Sequence, residues 1–300
     1  MSEGEAILRI EGLVKHYGKV EAVRGIDLEV RRGEVFGFLG PNGSGKSTTL
    51  RCLLGLLRPT AGRIQAFGLD ATHDGVAIRR RLAYVPGELR LPDRLSAIDF
   101  VASVGRLRGG FDPGRRDALA ERLRLDLHRP LRDLSTGNRR KVALLLAFLA
   151  DAEMLVLDEP TNGLDPLMQH EFLILIRETR SAGTTILLSS HDLSEVQRVA
   201  DRVAVLRSGE VVARGTVQEL RGRARQRLEI WFEGDPPGAD LMRLPGISDP
   251  LVDGQRFTAT LVGSIQPLVG LLARHRVSSM LVEEPDLEEA FLDLYSGGAT

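Results

Sequence analysis

Cysteine is almost absent from this chain, lysine is scarce, net charge is near zero, and long apolar runs are missing. One cysteine, Cys52, among 300 residues cannot close an internal disulfide, and its place in an apolar run reads as a small buried hydrophobe in a reducing setting. The formal net charge of −1 leaves no broad basic field that could hold nucleic acid by counterion release, so no nucleic acid partner is expected. The longest apolar stretches, Val142 to Ala150 and Met154 to Leu157, fall far short of the roughly 20 residues that span a bilayer. Residues Met1 to Ala6 are short and acidic, without a basic patch and apolar core, and do not read as a secretory signal. Lys15, Lys19, Lys46 and Lys141 are the only lysines among 40 basic residues, which makes Lys46 stand out.

What is present describes a globular chain, 43% hydrophobic and 27% charged, long enough for one large domain and a small one. From Ile7 to about Leu220, short β-like runs, Gly- or Pro-marked turns and helical patterns alternate, the mark of an α/β domain. Val35 to Leu39, Met154 to Leu157 and Thr185 to Ser189 are apolar on both faces and read as buried parallel strands, each ending at a polar cluster. A helical run is expected from Thr49 to Leu57. Between Ser96 and about Arg140, Phe100, Val104, Leu107, Leu119 and Leu123 recur at helical spacing and suggest an inserted helical lobe.

The polar, basic stretch 221–227 suggests a domain boundary near residue 222, with a first domain over 1–221 and a second over 222–300. Leu228 to Phe232, Phe257 to Val262 and Ser278 to Val282 read as strands there, and Ile265 to Arg274 and Asp286 to Tyr295 as helices. A small α+β appendix without catalytic residues follows. No internal repeat or low-complexity tract occurs.

Chemistry concentrates at the strand ends. Gly40-Pro41-Asn42-Gly43-Ser44-Gly45-Lys46-Ser47-Thr48 holds the pattern G-x-x-x-x-G-K-S between an apolar strand and a helical run, the context a P-loop requires. Its glycines let backbone N–H groups cradle phosphate oxygens, helped by the helix N-terminus. Lys46 is placed to reach the β- and γ-phosphates of ATP, and Ser47 to ligate Mg²⁺. A glycine-rich turn that binds nothing is the blandest alternative. Asp158 and Glu159 end a buried strand as adjacent carboxylates, costly there unless a cation or polar group offsets them. Asp158 is expected to hold Mg²⁺, through water, and Glu159 to polarise the attacking water as general base; a helix-capping Asp is the competing reading.

With these motifs in place, residues 7–220 resemble the nucleotide-binding domain of an ABC transporter, a P-loop NTPase with a RecA-like core and a helical lobe, here about 88–140. Further motifs occur in the family's order. Leu134-Ser-Thr-Gly-Asn138 is similar to the signature loop, and the resemblance implies that Ser135 and Gly137 contact ATP held by the opposite subunit. Leu164-Asp165 resembles the D-loop. Ser189-Ser-His191 resembles the switch motif, whose histidine contacts the γ-phosphate. Tyr17 matches the aromatic position that stacks on adenine. Taken alone, a single His at a strand end is more often structural, and a surface Tyr at a turn is equally plausible as either.

Two departures stand out. Thr136 and Asn138 replace residues of the usual Leu-Ser-Gly-Gly-Gln. In Tyr84-Val-Pro-Gly-Glu88 the family's Gln position carries Gly87, with Glu88 as a candidate substitute or a plainly exposed side chain. Slower or more partner-dependent hydrolysis is the expectation, with Gly87→Gln raising turnover.

The ending Pro285 to Tyr295, the Pro-Gly-Glu variant and the Thr-Gly-Asn signature look like ATPases of ABC-2-type exporters. That resemblance implies a peripheral ATPase on the cytoplasmic face of the membrane. It would energise a separately encoded ABC-2-type permease as a head-to-tail homodimer, or with a paralogous ATPase. The alternative is a soluble ABC ATPase in assembly, repair or translation, which the single ATPase domain and lack of a coiled-coil insertion oppose. A regulatory module without turnover is opposed by the presence of both Glu159 and His191.

Overall fold

Strands with no polar face can settle only inside a sheet covered on both sides. The computed structural model, which describes residues 5–222 and 226–283, places three such runs at the centre of its first unit. These are β3 (Val35–Leu39), β7 (Met154–Asp158) and β8 (Thr185–Ser190), buried at every position. Beside them lie β6 (Leu82–Val85), β9 (Arg202–Arg207) and β10 (Glu210–Thr216), giving a six-stranded sheet in the order β10-β9-β3-β8-β7-β6. β3 runs parallel to β8 and β9, and β7 parallel to β6 and β8, as the apolar runs foretold.

A second sheet escaped the sequence reading. β1 (Ala6–Tyr17), β2 (Val20–Arg31), β4 (Ala61–Ala66) and β5 (Leu69–Asp70) form an antiparallel sheet in the order β2-β1-β4-β5. Bulges break the alternation of β1 at several points, including between Ile10 and Leu13, which blurs its period-2 signal. Leu8, Ile10, Leu13, Ile26 and Val30 from this sheet share one buried cluster with Phe36, Phe38, Leu50 and Leu53.

α1 (Lys46–Leu53) starts and stops earlier than the expected Thr49 to Leu57 run. After α2 (Gly75–Arg81), the stretch 96–140 is mainly helical as expected. α3 (Ala97–Leu107) begins at Ser96, whose side chain accepts from Asp99 N–H, and α4 (Pro113–Arg122) begins at Asp112 with Pro113 at its first turn. α5 (Thr136–Leu149) is buried along most of its length. One member of the expected apolar stripe is wrong: Leu107 is 89% exposed, while Val101 and Gly105 turn inward. α6 (Pro166–Ser181) and α7 (Leu193–Gln197) complete this unit.

The chain divides into two compact units after Arg214, so the basic stretch 221–227 falls within the second. That unit contains α8 (Val217–Gly222), β11 (Gln226–Phe232), α9 (Gly238–Leu241), β12 (Ile247–Asp253), β13 (Arg256–Leu261), α10 (Gln266–Leu272) and β14 (Val277–Glu283). Its antiparallel sheet, ordered β12-β13-β11-β14, closes over Leu228, Ile230, Phe232, Leu241, Phe257 and Leu268. The α+β expectation is met. β12 went unread because Pro250 interrupts it and its register shifts between Ser248 and Leu251, features an edge strand tolerates. The helix expected over Asp286 to Tyr295 lies outside the described residues. Among the described residues, no helix is long and apolar enough to cross a membrane.

Candidate functional site

Register in the parallel sheet decides which polar clusters meet. Leu39 pairs with Ser190 and Asp158 with Ser189, so the carboxyl ends of β3, β7 and β8 lie side by side. Ligand sites of open α/β sheets form at such ends. Residues 40–48, Asp158, Glu159 and His191 converge here.

The 40–48 loop enters α1 through Gly45, which has φ 106° and no side-chain cap on the helix. A Cβ at Gly45 would sit 2.6 Å from the Ala22 carbonyl, so both the dihedral and the close approach require glycine. The uncapped first turn leaves backbone N–H groups available to an anion. Pro41, Asn42 and Gly43 are exposed, Gly40 and Ser44 are buried, and Ser47 and Thr48 are half-buried. Ser44 Oγ is buried without a hydrogen-bond partner.

Lys46 is buried, and its Nζ donates to Gly40 O at 2.5 Å and Pro41 O at 3.2 Å. The same Nζ lies 3.1 Å from Glu159 Oε1. That approach is an ion pair without hydrogen-bond alignment, which leaves Oε1 formally unbonded. Glu159 Oε2 is 2.7 Å from His191 Nδ1. Lys46, Glu159 and His191 therefore form one polar line across the mouth of the loop. Glu159 adopts φ 48°, a left-handed conformation that costs a non-glycine residue about 1–3 kcal/mol and clusters at functional sites. Its N–H is held by Ser189 O at 3.1 Å and Ser189 Oγ at 3.2 Å.

Asp158 is 1% exposed. Ser189 Oγ donates to its Oδ1 at 2.6 Å, while Oδ2 is buried with no partner. A buried carboxylate oxygen left unpaired is costly, and a cation offsets that cost. Among the described residues no group of three His, Cys, Asp or Glu could hold a metal ion. Tyr84, on the neighbouring strand, has its hydroxyl pushed up to about 12, first by burial and then by the Asp158 charge.

Tyr17 is exposed at the end of β1 and pairs with Val20 across the hairpin, with Lys15 Nζ 5.4 Å from its ring centre. Ala22, two residues beyond Val20, abuts Gly45, so this hairpin adjoins the phosphate loop. Glu88 is exposed. Asp165 accepts from Met168 N–H at 3.0 Å and caps α6.

Ser135 and Gly137 lie at the start of α5. Ser135 is exposed and caps α5 by accepting from Asn138 N–H at 3.3 Å. Among the described residues neither is hydrogen-bonded to 40–48. Gly137 instead backs onto the D-loop, where an added Cβ would collide with the Gly163 carbonyl oxygen.

Sequence reasoning missed the grip of Ser189 on Asp158, although pairing the two apolar strands places these residues opposite each other. It also missed Arg140, one of three adjacent basic residues before the apolar run that starts at Val142. The backbone of Glu159 had no sequence signal.

A family model described as ABC transporter matches residues 23–162. A daunorubicin resistance ATP-binding protein of Streptomyces coeruleorubidus is 34% identical over 97% of this chain and 96% of its own length. The chain belongs to the ABC transporter family. A Nod factor export ATP-binding protein of Cupriavidus pinatubonensis is 36% identical, over 96% of this chain and 90% of its own. Among solved structures, an ATP binding subunit of an ABC transporter superposes with a TM-score of 0.66 at 30% identity, covering 72% of this chain and 92% of that one. A dimeric bacterial ABC transporter cassette, at 23% identity and a TM-score of 0.65, shares the fold over 70% of this chain and 98% of its own. The protein is thus an ATP-binding, ATP-hydrolysing ABC cassette whose sequence continues into a small α+β unit.

Within this ABC ATPase, Gly137→Ala is expected to lower stability by about 1–3 kcal/mol, because the Cβ forces the α5 N-terminus and the Gly163 turn apart. Thermal unfolding of the nucleotide-free chain tests this. An unchanged midpoint would leave phosphate contact as the sole demand for glycine there.

Proposed function

We propose that the chain binds ATP and Mg²⁺ over residues 40–48 and uses hydrolysis to drive export through a separately encoded ABC-2-type permease. The observation that carries the chemistry is the Lys46, Glu159 and His191 line beside an unpaired Asp158 Oδ2. Backbone N–H groups from Gly40 to Thr48 take the phosphates, and Lys46 leaves the loop carbonyls for the β- and γ-phosphates. Asp158 and Ser47 would hold Mg²⁺, which would supply charge neutralisation for the phosphates. Glu159 accepts a proton from water in line with the γ-phosphate, and His191 steadies that phosphate. Tyr17 stacks on adenine.

Ser135 and Gly137 complete the site from a second copy, head to tail. Ser135 is exposed at the start of α5 and its side chain, among the described residues, hydrogen-bonds only to Asn138 N–H, which supports that assignment. Residues 1–221 act as the nucleotide-binding domain, with the helical lobe near 88–140, and 222–300 as an accessory domain. The relatives' names speak of daunorubicin resistance and Nod factor export, which supports export of a small organic molecule from the cytoplasmic face of the membrane.

The test is co-expression with the membrane protein encoded by a neighbouring gene. Recruitment of the chain to membranes, with Mg²⁺-dependent ATP turnover altered by that protein, is the expected result. A chain that stays in the soluble fraction, with turnover indifferent to the membrane protein, would overturn the exporter reading and leave the ATPase standing.

A further inference from the structure

Gly87 stands where the resembling family carries a Gln, and the structure shows what occupies that place. The 86–87 loop leaves β6 and passes directly under Asp158: a Cβ on Gly87 would lie 3.2 Å from Asp158 Oδ2. From the other side, the buried Arg140 guanidinium donates through Nη1 to Pro86 O and through Nη2 to Gly87 O, each at 2.5 Å. The loop backbone is thus clamped between an arginine fork and the Asp158 oxygen that has no partner. Burial lowers the pKa of the Arg140 guanidinium and the Asp158 and Glu159 charges oppose that shift, so the cation belongs electrostatically to the same cluster.

Arg140 lies on α5, the helix that begins at Ser135. An α-helix is stiff over so short a span, so a displacement of its N-terminus is carried to the guanidinium and through the two carbonyls to the loop.

We propose that Arg140 is a positioning residue for the metal site, which ties the signature helix to the Pro86-Gly87 backbone and thereby sets Asp158 Oδ2. Its hold is on the loop backbone, which packs against Asp158 Oδ2 without hydrogen-bonding to it. The inference rests on the nucleotide and Mg²⁺ reading above. Residues that orient a metal ligand from behind typically change metal affinity by about 10–100-fold when altered. Lysine at 140 keeps the charge but cannot reach two carbonyls with a fixed planar fork.

The experiment uses the full chain with Mn²⁺ as a spectroscopic stand-in for Mg²⁺. It measures Mn²⁺ affinity of the ATP complex by electron paramagnetic resonance, and ATP affinity separately in EDTA. Arg140→Lys is expected to weaken Mn²⁺ binding about tenfold with metal-free ATP binding unchanged. Mn²⁺ affinity within about twofold of wild type overturns the proposal, since that is below any positioning effect. So does a parallel fall in both affinities, the mark of a merely structural arginine. Should Arg140→Lys fail to fold, Arg140→Gln removes the planar fork while keeping an amide donor for the loop carbonyls. Weakened Mn²⁺ binding there supports the proposal, and unchanged binding overturns it. A wild-type chain that binds no ATP in EDTA sinks the nucleotide reading itself.

Discussion

Glu159→Gln is expected to lower ATP turnover by about 10²–10⁴-fold, the usual contribution of a positioned general base, while nucleotide binding is retained or tightened. The geometry separates the two effects. Oε2 faces His191 Nδ1 at 2.7 Å and Oε1 faces Lys46 Nζ at 3.1 Å, so the carboxylate competes with phosphate for both groups. Glutamine keeps the shape and one carbonyl acceptor, removes the negative charge, and cannot take a proton from water. Lys46 and the uncapped start of α1 then hold ATP against less competition. Phosphate release gives the rate, and gel filtration with ATP reports whether the chain elutes as a stable dimer. Turnover within about tenfold of wild type would place the base on another residue, because a base loss costs at least ten times more. The unpaired Asp158 Oδ2 and the partly exposed His191 would then be the groups to examine.

How far the site was legible follows from where its signals lie along the chain. Residues 40–48 form a contiguous pattern whose spacing is fixed by phosphate geometry, and the apolar runs before Gly40, Glu159 and His191 identify buried parallel strands. Their convergence follows from those two facts plus the rule that such strands share a carboxyl edge. The first antiparallel sheet did not follow, because the bulges of β1 erase the alternation that marks a half-buried strand. β12 was hidden by Pro250, a residue that argues against a strand everywhere except at an edge. Leu107 sat at helical spacing but lies on the outward face, which spacing alone cannot orient. Arg140 was invisible for a different reason: its partners are the carbonyls of Pro86 and Gly87, and backbone oxygens carry no sequence identity. The same departure at Gly87 that suggested a weakened site also suggested that restoring Gln would speed hydrolysis. A Cβ there would lie 3.2 Å from Asp158 Oδ2, so a Gln at 87 requires the carboxylate or the loop to give by a few tenths of an ångström, and the turnover of Gly87→Gln reads whether it does.

On the head-to-tail arrangement proposed above, in which each site draws its halves from different chains, mixing two inactive variants is expected to restore ATP occlusion. On a Glu159→Gln background, which blocks turnover, Lys46→Ala removes the charge that holds the phosphates, and Ser135→Arg obstructs the exposed start of α5. Each variant alone is expected to retain no ATP on gel filtration. A mixed dimer gathers both defects into one site, where the altered phosphate loop of one chain faces the obstructed α5 start of the other, and leaves the second site intact. Random pairing in a two-fold dimer makes half the dimers mixed, so about a quarter of the full complement of ATP is retained. Occlusion is read instead of hydrolysis so that a need for both sites to fire together cannot mask the result. The Ser135 change removes a helix cap at a cost of about 1 kcal/mol, too little to unfold an α5 buried along most of its length. No retention in the mixture, with both variants folded, would mean that Ser135 serves the site of its own chain. The start of α5 and the phosphate loop would then have to meet within one subunit, and the head-to-tail arrangement would lose its main support.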